Sequence, residues 1–325
     1  MTTLRDLDLL SFGRAAIDLY GEERGSDLTQ AIWFRKSLGG SAANTAVCAA
    51  RQGLRVAMLT AVGADPLGSH VLEGLRSEGI DTSAVKIVQD RLTALVVLSV
   101  QHPTSAPHLF YRERCADMAI GPDDVPEDLV RRVRSVLLTG THLSTAETFA
   151  ASLRLLECAH RFACRVLLDL DYRPSLWGAA APGRGEARAE PSELARLRFR
   201  EILPFCDVVV GTEEEVCVAA GLEDVEQAEA YLASQVRERV VVKLGSRGAR
   251  TRSVGGLVHA LDGYRVRVLN AIGAGDAFLG AYWAADLRGE RSTGAFLMET
   301  LPVRWSPRGT DVPRPMPPSV SCRPS

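Results

Sequence analysis

The chain has 325 residues, 46% hydrophobic and 24% charged, with a formal net charge of −2. That length admits one large α/β domain with an accessory element, and the near-neutral balance offers no electrostatic footprint for nucleic acid or an anionic membrane surface. No apolar run reaches the length of a membrane span, residues 1–8 are too polar for a secretory signal, and seven scattered cysteines without a Cys-x-x-Cys pair read as reduced thiols of a cytoplasmic protein, not a zinc site or disulfide framework.

In chain order, the first predicted strand is 7–12. A helix over 45–52 follows the string Gly39-Gly40-Ser41-Ala42-Ala43-Asn44, then a strand at 56–62 and a helix at 67–77. Further strands are predicted at 136–139, 166–170, 208–210 and 240–244, with helices at 146–161, 192–203, 225–235 and 277–287. The strand runs are apolar without alternation, as in a parallel sheet buried on both faces. Their alternation with helices predicts a doubly wound, mostly parallel α/β fold. Two segments, about 20–36 and 93–114, break this pattern with β-rich, partly alternating sequence. Residues 178–191, rich in Ala, Gly, Pro and Arg, read as a solvated loop.

The segment Asn270-Ala271-Ile272-Gly273-Ala274-Gly275-Asp276-Ala277-Phe278 is a glycine-rich turn that ends in a carboxylate and enters an apolar helix. Successive N–H groups of Gly273, Ala274, Gly275 and Asp276 at a helix start make an anion pocket. A carboxylate there is poorly suited to ligate a phosphate, but well placed as a base toward an attacking hydroxyl, so the turn reads as phosphoryl transfer to an alcohol. The plainer reading is a tight corner with Asp276 as a first-turn acid. The Gly39-Gly40 string has a plain reading too, as a glycine turn before a helix.

Together, in this order, the two strings resemble the ribokinase/PfkB sugar-kinase family over about residues 8–298. The resemblance implies a ribokinase-like kinase domain over 1–298, with 20–36 and 93–114 forming a small β lid over the sugar. It puts Gly39, Gly40 and Asn44 in the sugar site, and makes Asp276 the base behind an anion hole of Gly273, Ala274 and Gly275.

Three further residues bear on the acceptor. Asp18, in Gly13-Arg14-Ala15-Ala16-Ile17-Asp18-Leu19-Tyr20, can accept hydrogen bonds from sugar hydroxyls or cap a turn. Arg112 lies in the lid segment, and Arg173 lies in Asp169-Leu170-Asp171-Tyr172-Arg173-Pro174-Ser175-Leu176-Trp177, at a strand end where open α/β sheets bind ligands. A guanidinium offers a planar fork to a carboxylate. A neutral sugar needs no such cation, so the pair points to a sugar acid; surface ion pairs are the plainer reading. The two strings resemble the branch of the family that acts on a keto-deoxy sugar acid in inositol breakdown, with keto-deoxygluconate kinases and fructokinases as the alternative.

On the nucleotide side, Thr212 and Glu215 match an Asn-x-x-Glu pattern of the family, with Thr in place of Asn. The resemblance implies ATP as donor and Mg²⁺ reached by Glu215 through water; three successive glutamates also suit a helix start. Val242-Lys243-Leu244-Gly245-Ser246-Arg247-Gly248 resembles the family's nucleotide turn, with Gly245 and Gly248 passing close to ribose and phosphates. Lys243 reads equally as a phosphate contact or a salt-bridged strand end. The implied partners are a small sugar acid and ATP, with no nucleic acid or membrane, and the sequence leaves a homo-oligomer open.

The stretch 299–325 departs from this pattern. Residues 301–325 carry seven prolines and no helical period. With GC-rich codons, reading 303–315 from the third base encodes Ala-Leu-Val-Ala-Ala-Arg-His-Gly-Cys-Ala-Pro-Ala, which resembles the segment the family carries here. A reading-frame shift near residue 298 is therefore expected. A sugar-binding remnant with impaired catalysis stands as the alternative function.

Overall fold

The computed structural model describes residues 5–22, 25, 27–99, 107–181, 183–185, 189–263 and 270–289. The first half of the chain runs β1 (Leu7–Phe12), β2 (Ala16–Gly21), β3 (Phe34–Gly39), α1 (Ser41–Arg51), β4 (Val56–Gly63), α2 (Pro66–Ser77), β5 (Val85–Val88), β6 (Leu95–Leu98) and β7 (His108–Tyr111). It continues with α3 (Glu127–Arg132), β8 (Val133–Thr139), α4 (Ala146–Arg161), β9 (Arg165–Asp169), α5 (Glu193–Ile202), β10 (Val208–Thr212), α6 (Glu213–Ala220) and α7 (Val225–Gln235). The last elements are β11 (Arg239–Lys243), β12 (Ala249–Ser253), β13 (Val258–Leu261) and α8 (Ala274–Leu287).

Nine strands pair in the order β13-β12-β11-β10-β9-β8-β1-β4-β5. From β11 to β5 every pair is parallel; β12 and β13 close one edge as an antiparallel hairpin. Neighbouring side chains on each central strand point to opposite layers. Leu10, Leu138, Leu168 and Val209 pack into a core shared with Leu155, Phe199 and Leu232 from α4, α5 and α7. Leu9, Leu137, Leu167 and Val208 pack against Ala46, Leu75 and Trp283 from α1, α2 and α8. Burial on both faces is why these strands are apolar without alternation.

Chain order reverses at β1: β4 lies on one side of it and β8 on the other. The crevice at the C-terminal ends of β1 and β8 is thus the switch point where open α/β sheets bind ligands.

A separate four-stranded sheet, ordered β3-β2-β6-β7, draws its strands from the two segments expected to form a lid. β2 and β3 begin earlier and end later than the expected 20–36, whereas β6 and β7 lie inside 93–114. β2 starts at Ala16, only three residues after β1, and β3 runs through Gly39; 22–33 is their connection. The exposed Phe34, Arg35 and Lys36 mask β3, since only its last half carries buried side chains. Tyr20, Val96 and Leu98 of the lid pack with Phe110 and with Ile272 from the turn before α8. Among the described residues no helix is long and apolar enough to cross a membrane. The proline-rich stretch 299–325 lies outside the described residues.

Candidate active site

Asp276 sits in the first turn of α8, after Gly273, whose φ of 76° is the left-handed conformation that glycine accepts readily. The N–H of Ala274 donates to Ala271 O at 3.2 Å. The N–H groups of Gly275 and Asp276 lie too early in the helix to reach a carbonyl within it, so they remain for an anion. The Asp276 carboxylate is fixed from α1: Asn44 Nδ2 donates to Oδ2 at 2.8 Å and Ser41 Oγ to Oδ1 at 3.1 Å. Burial, then the nearby Asp171 charge, pushes the Asp276 pKa up; donation by Asn44 and the charges of Lys243 and Arg173 pull against them.

Helix α1 can enter this contact because Gly40 precedes it with φ 98°, where a Cβ would overlap the carbonyl of Arg14. The two glycine strings, more than 220 residues apart in sequence (232 between Asn44 and Asp276), thus meet at one carboxylate.

Behind that carboxylate lies a second one. Ser41 Oγ is also 3.3 Å from Asp169 Oδ2, and Lys243 Nζ is 3.1 Å from Asp169 Oδ1. A hydroxyl has one proton, so Ser41 serves Asp169 or Asp276 at a given moment, not both. Burial would lower the Lys243 pKa, but Asp169, Glu215 and Asp276 hold the ammonium protonated. Lys243 therefore stands beside the anion turn as the partner of a buried carboxylate; a Cβ on Gly275 would lie 3.6 Å from its Nζ. Asp169 is pushed up by burial, with Lys243 opposing.

Near Asp276 lie Asp18 and Arg173, and beside Arg14 lies Arg112, the three residues expected to meet the acceptor. Asp18 is buried, and the space where a Gly39 side chain would begin is filled by its carboxylate. Burial raises the Asp18 pKa to about 6 despite the Arg14 charge. Both predicted arginines are partly committed. Arg112, 4% exposed, donates from Nε to Asp117 Oδ2 at 2.6 Å and from Nη1 to Thr141 O at 3.2 Å. Arg173 pairs through Nη2 with Asp171 Oδ1 at 2.9 Å. Arg112 Nη2 and Arg173 Nη1 are buried without a hydrogen-bond partner among the described residues.

Thr212 caps α6: its hydroxyl accepts from Glu215 N at 3.3 Å, and Glu215 Oε2 accepts from Thr212 N at 2.9 Å. One oxygen of the buried Glu215 is thus occupied by its own helix cap. Gly245 stands in open space. Gly248 has φ 97° and lies where a Cβ would overlap the Leu261 carbonyl, so packing against β13 accounts for it. Among the described residues, no group of three or more His, Cys, Asp or Glu side chains is placed to hold a metal ion.

The sequence matches the profile described as pfkB family carbohydrate kinase over residues 6–297. The chain belongs to that family. The kinase is 29% identical over 294 residues to the 5-dehydro-2-deoxygluconokinase of Halalkalibacterium halodurans, covering 89% of this chain and 85% of the relative. A PfkB protein from Polaromonas sp. JS666 has a similar structure, with 28% identity, a TM-score of 0.74, and coverage of 87% and 90%. A ribokinase II of E. coli, solved with ATP and Mg²⁺, shares the fold at a TM-score of 0.78 and 17% identity, with coverage of 90% and 89%. The kinase is therefore a phosphotransferase acting on a sugar hydroxyl, on a ribokinase-type fold.

Several residues in contact with the candidate site carried no assignment from sequence. Ser41 and Asp169 lie within the quoted strings, but their link to Asp276 depends on how α1, β9 and α8 converge. Asp117 and Asp171, which hold the arginines, and Arg14, at the end of β1, were equally silent. The one available signal was the density of charged residues in two otherwise buried strand-end loops, Gly13-Arg14 and Asp169-Leu170-Asp171-Tyr172-Arg173.

Proposed function

We propose that this kinase transfers the γ-phosphoryl group of ATP to the terminal hydroxyl of 5-dehydro-2-deoxygluconate, a sugar acid. The observation that carries this reading is the pair of buried, unpartnered guanidinium nitrogens, Arg112 Nη2 and Arg173 Nη1. Burying a donor without an acceptor is costly. A substrate carboxylate supplies the missing acceptor and a neutral sugar supplies a weaker one. The name and coverage of the H. halodurans relative support the same acid.

In this mechanism Asp276 takes the proton of the acceptor hydroxyl as its oxygen attacks the γ-phosphorus, and the bond from that phosphorus to the ADP oxygen breaks. The raised pKa of Asp276 makes it a better base than a solvent-exposed carboxylate once it is ionised. Asn44 and Ser41 aim its oxygens, and the N–H groups of Gly275 and Asp276 meet charge on the transferred group. Asp18, Gly39 and Gly40 shape the pocket for the sugar hydroxyls. Glu215 and Asp169 offer oxygen donors only, which fits a hydrated Mg²⁺ carried mainly by the nucleotide phosphates, whose charge the ion neutralises when bound. Lys243, Thr212, Gly245 and Gly248 complete the donor side. Free thiols such as Cys48 and Cys217 fit a reducing cytoplasm.

The test is ATP consumption by the purified chain against a panel of sugar acids and neutral ketoses. Turnover of 5-dehydro-2-deoxygluconate well above 2-keto-3-deoxygluconate and fructose is expected. A preference for fructose would refute the acid reading. Binding of the acid without turnover would leave the remnant reading in its place.

A further inference from the structure

The loop after β1 carries a third arginine, at the switch point itself. Arg14 is 7% exposed, and its Nε and Nη1 are buried without a hydrogen-bond partner among the described residues. Its backbone carbonyl is tied to the first glycine string, accepting from Ala43 N at 3.3 Å. Its guanidinium lies over the Phe110 ring of the lid, 5.4 Å from the centroid.

The charges that act on it are those of the acceptor end: Asp18 first, with Asp117 and Asp171 also attracting and Arg112 repelling. Arg112 and Arg173 each spend nitrogens on a protein carboxylate, Asp117 and Asp171. Arg14 spends neither Nε nor Nη1. Stacking on Phe110 accounts for where the side chain lies, but a methionine could fill that space without desolvating a cation. Two more unpartnered donors in a pocket already rich in them mark a place where an anion completes the set.

We infer that Arg14 binds the carboxylate of the acceptor and is the residue that makes the pocket select an acid over a neutral sugar. This rests on the sugar-acid reading above. It assigns Arg112 and Arg173 a supporting place, each held by an aspartate and each offering a remaining nitrogen. Aspartate pairing makes those two poorer anchors, because part of their charge is already neutralised inside the protein.

The test compares Arg14→Gln, Arg14→Lys and Phe110→Leu with the unmodified full chain. The readouts are KM and kcat for 5-dehydro-2-deoxygluconate and for fructose, with thermal melting alongside. Arg14→Gln is expected to raise KM for the acid on the order of 100-fold while kcat changes little, collapsing the acid-over-neutral ratio of kcat/KM. Arg14→Lys should recover part of that ratio. Phe110→Leu, which keeps the cation and loses the ring, should keep it. Should Arg14→Gln fail to fold, Arg14→Lys and Phe110→Leu still decide. Equal loss on acid and fructose, or a collapse of the ratio in Phe110→Leu as well, would overturn the assignment and leave Arg14 as a lid prop. A wild-type enzyme that prefers fructose defeats the acid reading itself; a wild-type enzyme that prefers the acid, with the ratio intact in Arg14→Gln, defeats only Arg14.

Discussion

Replacing Asp18 by Asn is expected to make the unliganded protein more stable while weakening its hold on the acceptor. Asp18 is 6% exposed, its Oδ1 has no hydrogen-bond partner among the described residues, and burial raises its pKa to about 6. A folded-state pKa above the unfolded value means the folded protein holds the proton more tightly. This contribution to stability is therefore fully present below about pH 4 and is lost as pH rises through about 6. By neutral pH the cost is about 3 kcal/mol. Asn carries no charge at any pH and fits the same space, but it withdraws the nearest anion from Arg14, so the net gain is roughly 1–3 kcal/mol. Other carboxylates titrate in the same range, yet they are common to both proteins. The difference between variant and wild type isolates Asp18. Urea unfolding of the two at half-unit steps from pH 4.5 to 8 measures it: the curves should lie close together at the acid end and separate as pH rises. A difference that stays flat with pH, or a variant less stable at pH 7.5, would refute the argument that Asp18 is a desolvated charge waiting for its substrate.

Asp276→Asn should lower kcat by about 10³-fold, with acceptor KM changed little, as read by steady-state assay. Because burial and Asp171 raise the Asp276 pKa, the acid limb of kcat/KM should fall at a higher pH than for an ordinary carboxylate, and activity should be lost as pH drops through that limb. Lys243→Met leaves Asp169 buried beside an apolar chain and should destabilise the fold by about 3 kcal/mol at neutral pH, an effect that denaturant melts would show shrinking as pH falls and Asp169 takes a proton. Finally, the coding DNA around codon 298 is expected to hold, in a second frame, the Arg-His-Gly-Cys-Ala-Pro string expected from the family resemblance; its absence there would end the frame-shift explanation of residues 299–325. The family match itself stops at residue 297.

What the sequence revealed follows from burial. β1, β4 and β8–β11 announced themselves because helices cover both faces of the sheet, leaving no solvent face to interrupt the apolar runs. β12 and β13 stayed hidden for the opposite reason: Arg250, Thr251 and Arg252 are half-exposed on β12, beside the edge strand β13, and read as loop. The glycine strings marked the starts of α1 and α8, since a left-handed Gly273 and a crowded Gly40 leave a visible residue type. Of the Asp169–Lys243 pair, a salt-bridged strand end was one reading of Lys243, but its partner left no trace. The two are 74 positions apart and meet only because β9, β10 and β11 are adjacent in parallel register. Thr212 and Glu215, expected to serve the nucleotide and Mg²⁺ or to begin a helix, form the cap of α6.

The lid strand β3 ends at Gly39, and α1 begins at Ser41. One residue, Gly40, is all that separates the small sheet from the helix whose Ser41 and Asn44 hold the Asp276 carboxylate, the proposed base. Ile272, beside the base's own turn, also packs into the lid's inner face. The small sheet is thus joined to both sides of the Asp276 contact, on one side by covalent chain and on the other by packing. In the proposed mechanism, displacing the small sheet would also disturb the hold of Ser41 and Asn44 on Asp276, so nucleotide hydrolysis without a sugar acceptor would be disfavoured.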